Sequence, residues 1–187
     1  MLTLACLLTM STLWLPPETT HVVASIERDL TGDGKPELLR VIGVGPTIEH
    51  LDLTFTIESE GKTIYRSKLA PLTRVVGFDA GRRMLSAEEH RVRVREFGEW
   101  FFGKEKFQRP DQFVDTMRTM SRTAVADIPT AIVHDRSPSE SRDGSEIWAE
   151  IRDSAVTIFT FSPGGDAVVA IGWSARAGRF YRLLECC

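Results

Sequence analysis

The residues Asp29-Leu30-Thr31-Gly32-Asp33-Gly34-Lys35-Pro36-Glu37 place oxygen-bearing groups at alternate positions around two glycines. Counted from Asp29, side-chain oxygens fall at positions 1, 3, 5 and 9, from Asp29, Thr31, Asp33 and Glu37, and Lys35 at position 7 presents its backbone carbonyl. Gly34 at position 6 can take the backbone through a sharp turn that a side chain would resist. Carboxylate, hydroxyl and carbonyl oxygens at this spacing suit a hard divalent cation, and calcium, which accepts about six to eight oxygens in flexible geometry, is the cofactor this pattern fits. Without a cation, the same Asp and Gly residues would simply turn the chain.

The string D-L-T-G-D-G-K-P-E at 29 to 37 resembles the D-x-[DN]-G-D-G-x-x-D loop of FG-GAP/VCBS-type calcium-binding segments in exported proteins and integrin-like propellers. The resemblance covers about a dozen residues of the chain. It implies that Asp29, Thr31, Asp33 and Glu37 are side-chain metal ligands and that Lys35 is a carbonyl ligand. Thr31 stands where the pattern has Asp or Asn, and Glu37 where it ends in Asp; these departures bear on affinity more than on geometry. An EF-hand is excluded because Arg40 occupies position 12, where a bidentate Glu is needed, and because the flanks read as strands. A propeller needs several copies of the motif, and the chain has one.

Other constellations point to less chemistry. His21, His50, His90 and His134 show no H-x-x-x-H or H-E-x-x-H spacing, which argues against a zinc enzyme. No G-x-S-x-G is present, and Ser162-Pro163-Gly164-Gly165-Asp166 reads as a turn between strands. Gly43-Val44-Gly45-Pro46 lacks the third glycine of a dinucleotide fingerprint. Arg82, Arg83, Arg91, Arg93 and Arg95 could gather an anion, but Glu88, Glu89, Glu96 and Glu99 are interleaved with them, the mark of a solvated face. Asp79, Glu88 and Glu99 could be posed as acid and base partners, yet spacing alone does not select them from 26 acidic residues.

The chain has 187 residues and 42% apolar content, enough for one domain with a sizeable core. Its net charge of −3 supplies no cationic field, so nucleic acid is not an expected partner. Met1 to Leu15 is an uncharged apolar run followed by Pro16-Pro17, as in a secretory signal peptide. Val22-Val23-Ala24 gives the small-residue cleavage site, so residues 1–24 are expected to be a leader and 25–187 the mature domain, with no transmembrane span once the leader is removed. The expected location is secreted or periplasmic, at a bacterial envelope. Cys6 would leave with that leader, and Cys186 and Cys187 at the end form no disulfide framework.

Runs from Val22 to Ile26 and from Leu38 to Val44 bracket the acidic loop and read as strands. Leu51 to Glu58 and Thr63 to Leu69 flank Glu60-Gly61, a hairpin signal. Ser86 with Glu89 forms a capping box, so a helix is expected to carry Val94, Phe97 and Phe101 on one face, although Arg91 to Arg95 also alternates with the period of a strand. A second helix is expected from Pro110 to the stop at Pro129. Ser137 to Ser145 reads as a mobile loop, followed by a short helix through Ile147, Trp148 and Ile151. Val156 to Phe161, Ala167 to Trp173 and Phe180 to Leu184 read as C-terminal strands. The fold class is therefore α+β, a largely antiparallel sheet with helices packed on one face. Two functions follow: a binding or structural module at the envelope with a calcium loop, or a small exported hydrolase or carbohydrate-active enzyme whose site is assembled from dispersed residues.

Overall fold

The computed structural model describes residues 19–46, 50–71, 86–120 and 144–186. The first part of the chain forms an antiparallel meander of β1 (Thr19–Arg28), β2 (Glu37–Gly45), β3 (Asp52–Ser59) and β4 (Lys62–Lys68). Burial along β2 alternates strictly, with Glu37, Leu39 and Val41 inward, as a strand with one covered face requires. Leu53, Phe55 and Ile57 of β3 point the same way and are fully buried. Glu60 and Gly61 make the β3–β4 turn with positive φ at both, the backbone that a two-residue hairpin needs.

Helix α1 (Ala87–Phe101) begins at the expected capping box. The Glu89 amide donates to Ser86 Oγ at 3.3 Å, and the Ser86 amide donates to Glu89 Oε2 at 2.8 Å. The alternation of Arg91, Arg93 and Arg95 is thus carried on a helix, where Arg91 pairs with Glu88 and Arg93 with Glu96 on an exposed face. A 3-10 turn, Lys104–Lys106, leads to the two-residue strand β5 (Phe107–Gln108) and then α2 (Pro110–Met120). The rest of the second expected helix, 121–129, lies outside the described residues. So do residues 137–143 of the expected mobile loop; its last two, Gly144 and Ser145, open helix α3 (Gly144–Arg152), which buries Ile147, Trp148 and Ile151.

The chain closes with β6 (Ile158–Gly164), β7 (Ala167–Ser174) and β8 (Arg179–Cys186), which with β5 make a second antiparallel sheet in the order β5-β6-β7-β8. The protein is therefore α+β, with two four-stranded antiparallel sheets among the described residues. The inner faces of both sheets share one core with α1: Phe55 lies 5.5 Å from Phe101, 5.4 Å from Phe159 and 5.1 Å from Phe161 between ring centroids. The far face of the second sheet carries a separate core in which Ile158, Ala170, Tyr181 and Leu183 meet Phe113 of α2 and Trp148 and Ile151 of α3. The second sheet is covered on both sides, and this is why its strands read as nearly continuous apolar runs.

Two expectations meet the strands directly. β1 begins at Thr19, with Thr19 paired to Gly45 and Ala24 to Val41, so the leader boundary expected after Ala24 falls inside a paired strand. Cys186 ends β8 opposite Val168. Among the described residues, no helix is long and apolar enough to cross a membrane.

Candidate metal centre

The loop from Asp29 to Pro36 joins β1 to β2 and packs against the segment between α3 and β6. Leu30 anchors it: its side chain is fully buried in the shared core, its carbonyl accepts from the Thr157 amide at 3.2 Å, and its amide donates to Glu37 Oε2 at 2.7 Å. Gly32 follows with φ of +76° and packs so closely that a Cβ there would lie 2.9 Å from the Ala155 carbonyl carbon. Gly34, with φ of +84°, has open space around it and is glycine for its backbone angle alone.

Each carboxylate of the loop closes part of the turn. Asp29 accepts from the Gly32 amide through Oδ1 at 2.7 Å and from the Gly34 amide through Oδ2 at 2.9 Å. Asp33 Oδ1 accepts from the Lys35 amide at 2.8 Å, an Asx turn. Glu37 is 0% exposed and accepts three donors: the Leu30 and Thr31 amides at Oε2 and the Thr31 hydroxyl at Oε1, the last at 3.0 Å. Its inward position follows from strand parity, since Glu37 shares the β2 face of Leu39 and Val41.

These constraints bring one oxygen each from Asp29, Asp33 and Glu37 to within 4.8 Å of one another. The Thr31 hydroxyl is held in the same cluster by its bond to Glu37. Lone pairs decide what remains available. A carboxylate oxygen has two, so both oxygens of Asp29 keep one after their amide bonds, and so does Glu37 Oε1, whereas Glu37 Oε2 is filled by two amides. The residues fit a hard cation held by one oxygen from each carboxylate; Glu37 fits as a single-oxygen ligand. The contact the structure gives the Lys35 side chain is an ion pair: its ammonium pairs with Glu60 on the β3–β4 turn at 2.8 Å. The hydrogen bond to Glu60 first, then its charge and that of Asp33, raise the Lys35 pKa above its ordinary value.

Beside the loop lies a cavity of about 400 Å³ whose walls include Thr31, Asp33, Ser59, Glu150, Ser154 and Trp173. Glu150 Oε1 accepts from Ser174 Oγ at 2.9 Å and from the Arg176 amide at 3.0 Å, which ties α3 to the β7–β8 turn. Of the five loop residues named by spacing, the structure clusters Asp29, Asp33 and Glu37, with Thr31 bonded to Glu37; spacing gave no sign of the neighbourhood, because Glu150, Trp173 and the Ala155 backbone come to the loop only through tertiary packing.

No family model, curated protein or solved structure matches the chain. Its chemistry has to be read from its own side chains.

Proposed function

We propose that the protein is an exported, non-catalytic module of the bacterial envelope, serving binding or structural ends, in which calcium pins the Asp29 to Glu37 loop. The observation that carries this is the convergence of Asp29, Asp33 and Glu37 oxygens within 4.8 Å on a loop seated against the segment between α3 and β6. Three carboxylates this close repel one another, and a divalent cation relieves that repulsion while its ligands hold the loop down. Export is supported by the uncharged run Met1 to Leu15 and its Pro16-Pro17 stop, and millimolar extracellular calcium fills even a weak site. Because Thr19 to Ala24 belong to a paired strand, a leader that is cut before Thr19 leaves β1 whole.

The test is the melting temperature with calcium and with chelator. A site filled at about 100 times its Kd adds about 2.7 kcal/mol, or roughly 5–10 °C for a domain of this size. Asp33→Ala removes the rise while keeping the fold in chelator, and Thr31→Asp enlarges it. Equal or absent shifts in the parent and both variants reduce the motif to an ordinary turn.

The alternative is a small exported hydrolase. One observation favours it, the cavity at the loop's rim with Asp33 and Glu150 in its wall. Glu150 is occupied in holding the β7–β8 turn, so the same observation fits a binding site at least as well.

A further inference from the structure

The cavity beside the loop is built by four parts of the fold. The β1–β2 loop supplies Thr31 and Asp33, the β3–β4 hairpin supplies Ser59, the segment around the end of α3 supplies Glu150 and Ser154, and the end of β7 supplies Trp173. Its volume of about 400 Å³ lies in the range of small-molecule sites, about 300–1,000 Å³.

The composition of the wall selects the ligand class. None of the described residues lining it is Lys, Arg or His, so an anion would meet carboxylates without a compensating charge. Glu150 Oε1 already holds the Ser174 hydroxyl and the Arg176 amide, and Asp33 Oδ1 holds the Lys35 amide; these donors are neutral, so an ammonium ligand is the competing occupant and is tested beside the sugars. What the wall offers is a set of polar groups beside the half-buried indole of Trp173: Asp33 as acceptor, the Thr31 and Ser154 hydroxyls as acceptors because their protons go to Glu37 and to the Ile151 carbonyl, and the Ser59 hydroxyl. A sugar ring matches both parts: its hydroxyls exchange hydrogen bonds with the polar groups, and its C–H face covers the indole.

We propose that this cavity binds a neutral saccharide unit, with Trp173 as its apolar wall and Asp33 as a hydrogen-bond acceptor for ring hydroxyls. The inference rests on the cavity and not on the cation reading, although Asp33 belongs to both. A cation in the loop and a sugar in the cavity would therefore affect each other's affinity reciprocally.

The experiment is ligand-observed saturation-transfer NMR on the folded protein, run in chelator and again in calcium, with maltose, cellobiose and chitobiose as probes and with cadaverine and inorganic phosphate as controls. At least one disaccharide gives a saturable response in one of the two conditions, and cadaverine and phosphate give none. Ala175→Phe, at an exposed position on the cavity wall, raises the disaccharide Kd about tenfold or more without altering the melting temperature. Trp173→Phe weakens binding as well; if it also disturbs folding, Ala175→Phe decides. Silence from all three disaccharides overturns the proposal. So does a response confined to cadaverine or phosphate, or disaccharide binding that Ala175→Phe leaves unchanged. Sugar binding in chelator combined with no calcium-dependent thermal shift would keep this proposal and defeat the cation reading.

Discussion

Replacing Glu37 by Ala tests whether the loop is held from inside. The carboxylate is fully buried and is the acceptor for the Leu30 amide, the Thr31 amide and the Thr31 hydroxyl. The Leu30 amide is itself buried, so losing its acceptor costs about 1–3 kcal/mol; the Thr31 groups are partly buried and recover some solvation from water, adding about 1 kcal/mol together. The expected loss is about 2–4 kcal/mol, which with a urea m-value of about 2 kcal/mol/M lowers the midpoint by roughly 1–2 M. Glu37→Gln can keep its oxygen on the Leu30 and Thr31 amides and turn its NH₂ to the Thr31 hydroxyl, which can accept, but it loses the carboxylate charge that strengthens these bonds, so it is expected to fall between parent and Ala. Equilibrium urea unfolding followed by circular dichroism measures both variants. Running it in chelator separates the hydrogen-bonding role from any metal role. A change below about 0.5 kcal/mol for Glu37→Ala, the size of an ordinary surface substitution, would refute the reasoning.

Gly32→Ala should cost roughly 2–4 kcal/mol, the left-handed backbone plus a Cβ pressed on the Ala155 backbone, while Gly34→Ala should cost about 1–2 kcal/mol for its backbone alone; equal urea midpoints for the two would mean that the loop does not pack as described. Ser86→Ala removes half of the α1 capping box and should lower stability by about 1 kcal/mol, read in the same unfolding experiment. N-terminal sequencing of the protein from its native host should find the chain starting before Thr19 and without Met1; an intact Met1 in soluble cytosol would remove the export argument.

The strands that flank the acidic loop, the hairpin at Glu60-Gly61 and the capping box at Ser86 were legible because each rests on local chemistry: period-two burial, positive φ, and reciprocal side-chain to backbone bonds. The partition of the strands into two sheets was not, since Phe55 and Phe159 are as apolar in one large sheet as in two that face each other. Strand β5 is only Phe107 and Gln108, too short to show a period. At the loop, spacing named Asp29, Thr31, Asp33 and Glu37, and the structure brings them together. What spacing did not show is that Glu37 works from inside. Its parity with Leu39 and Val41 carried that information, but a terminal acidic residue in a ligand pattern reads first as an exposed ligand. The anchoring of Leu30 and Gly32 against Thr157 and Ala155 joins residues far apart in the chain, and no single segment encodes it.

The central claim is that Asp29, Asp33 and Glu37 hold one cation, and equilibrium dialysis of the folded protein against calcium measures this most directly. The account predicts one calcium ion per chain at millimolar free calcium, an affinity weakened about tenfold or more by Asp33→Ala, and tighter binding by Thr31→Asp. No calcium retained at millimolar concentration, or an ion retained equally by the parent and Asp33→Ala, would contradict it.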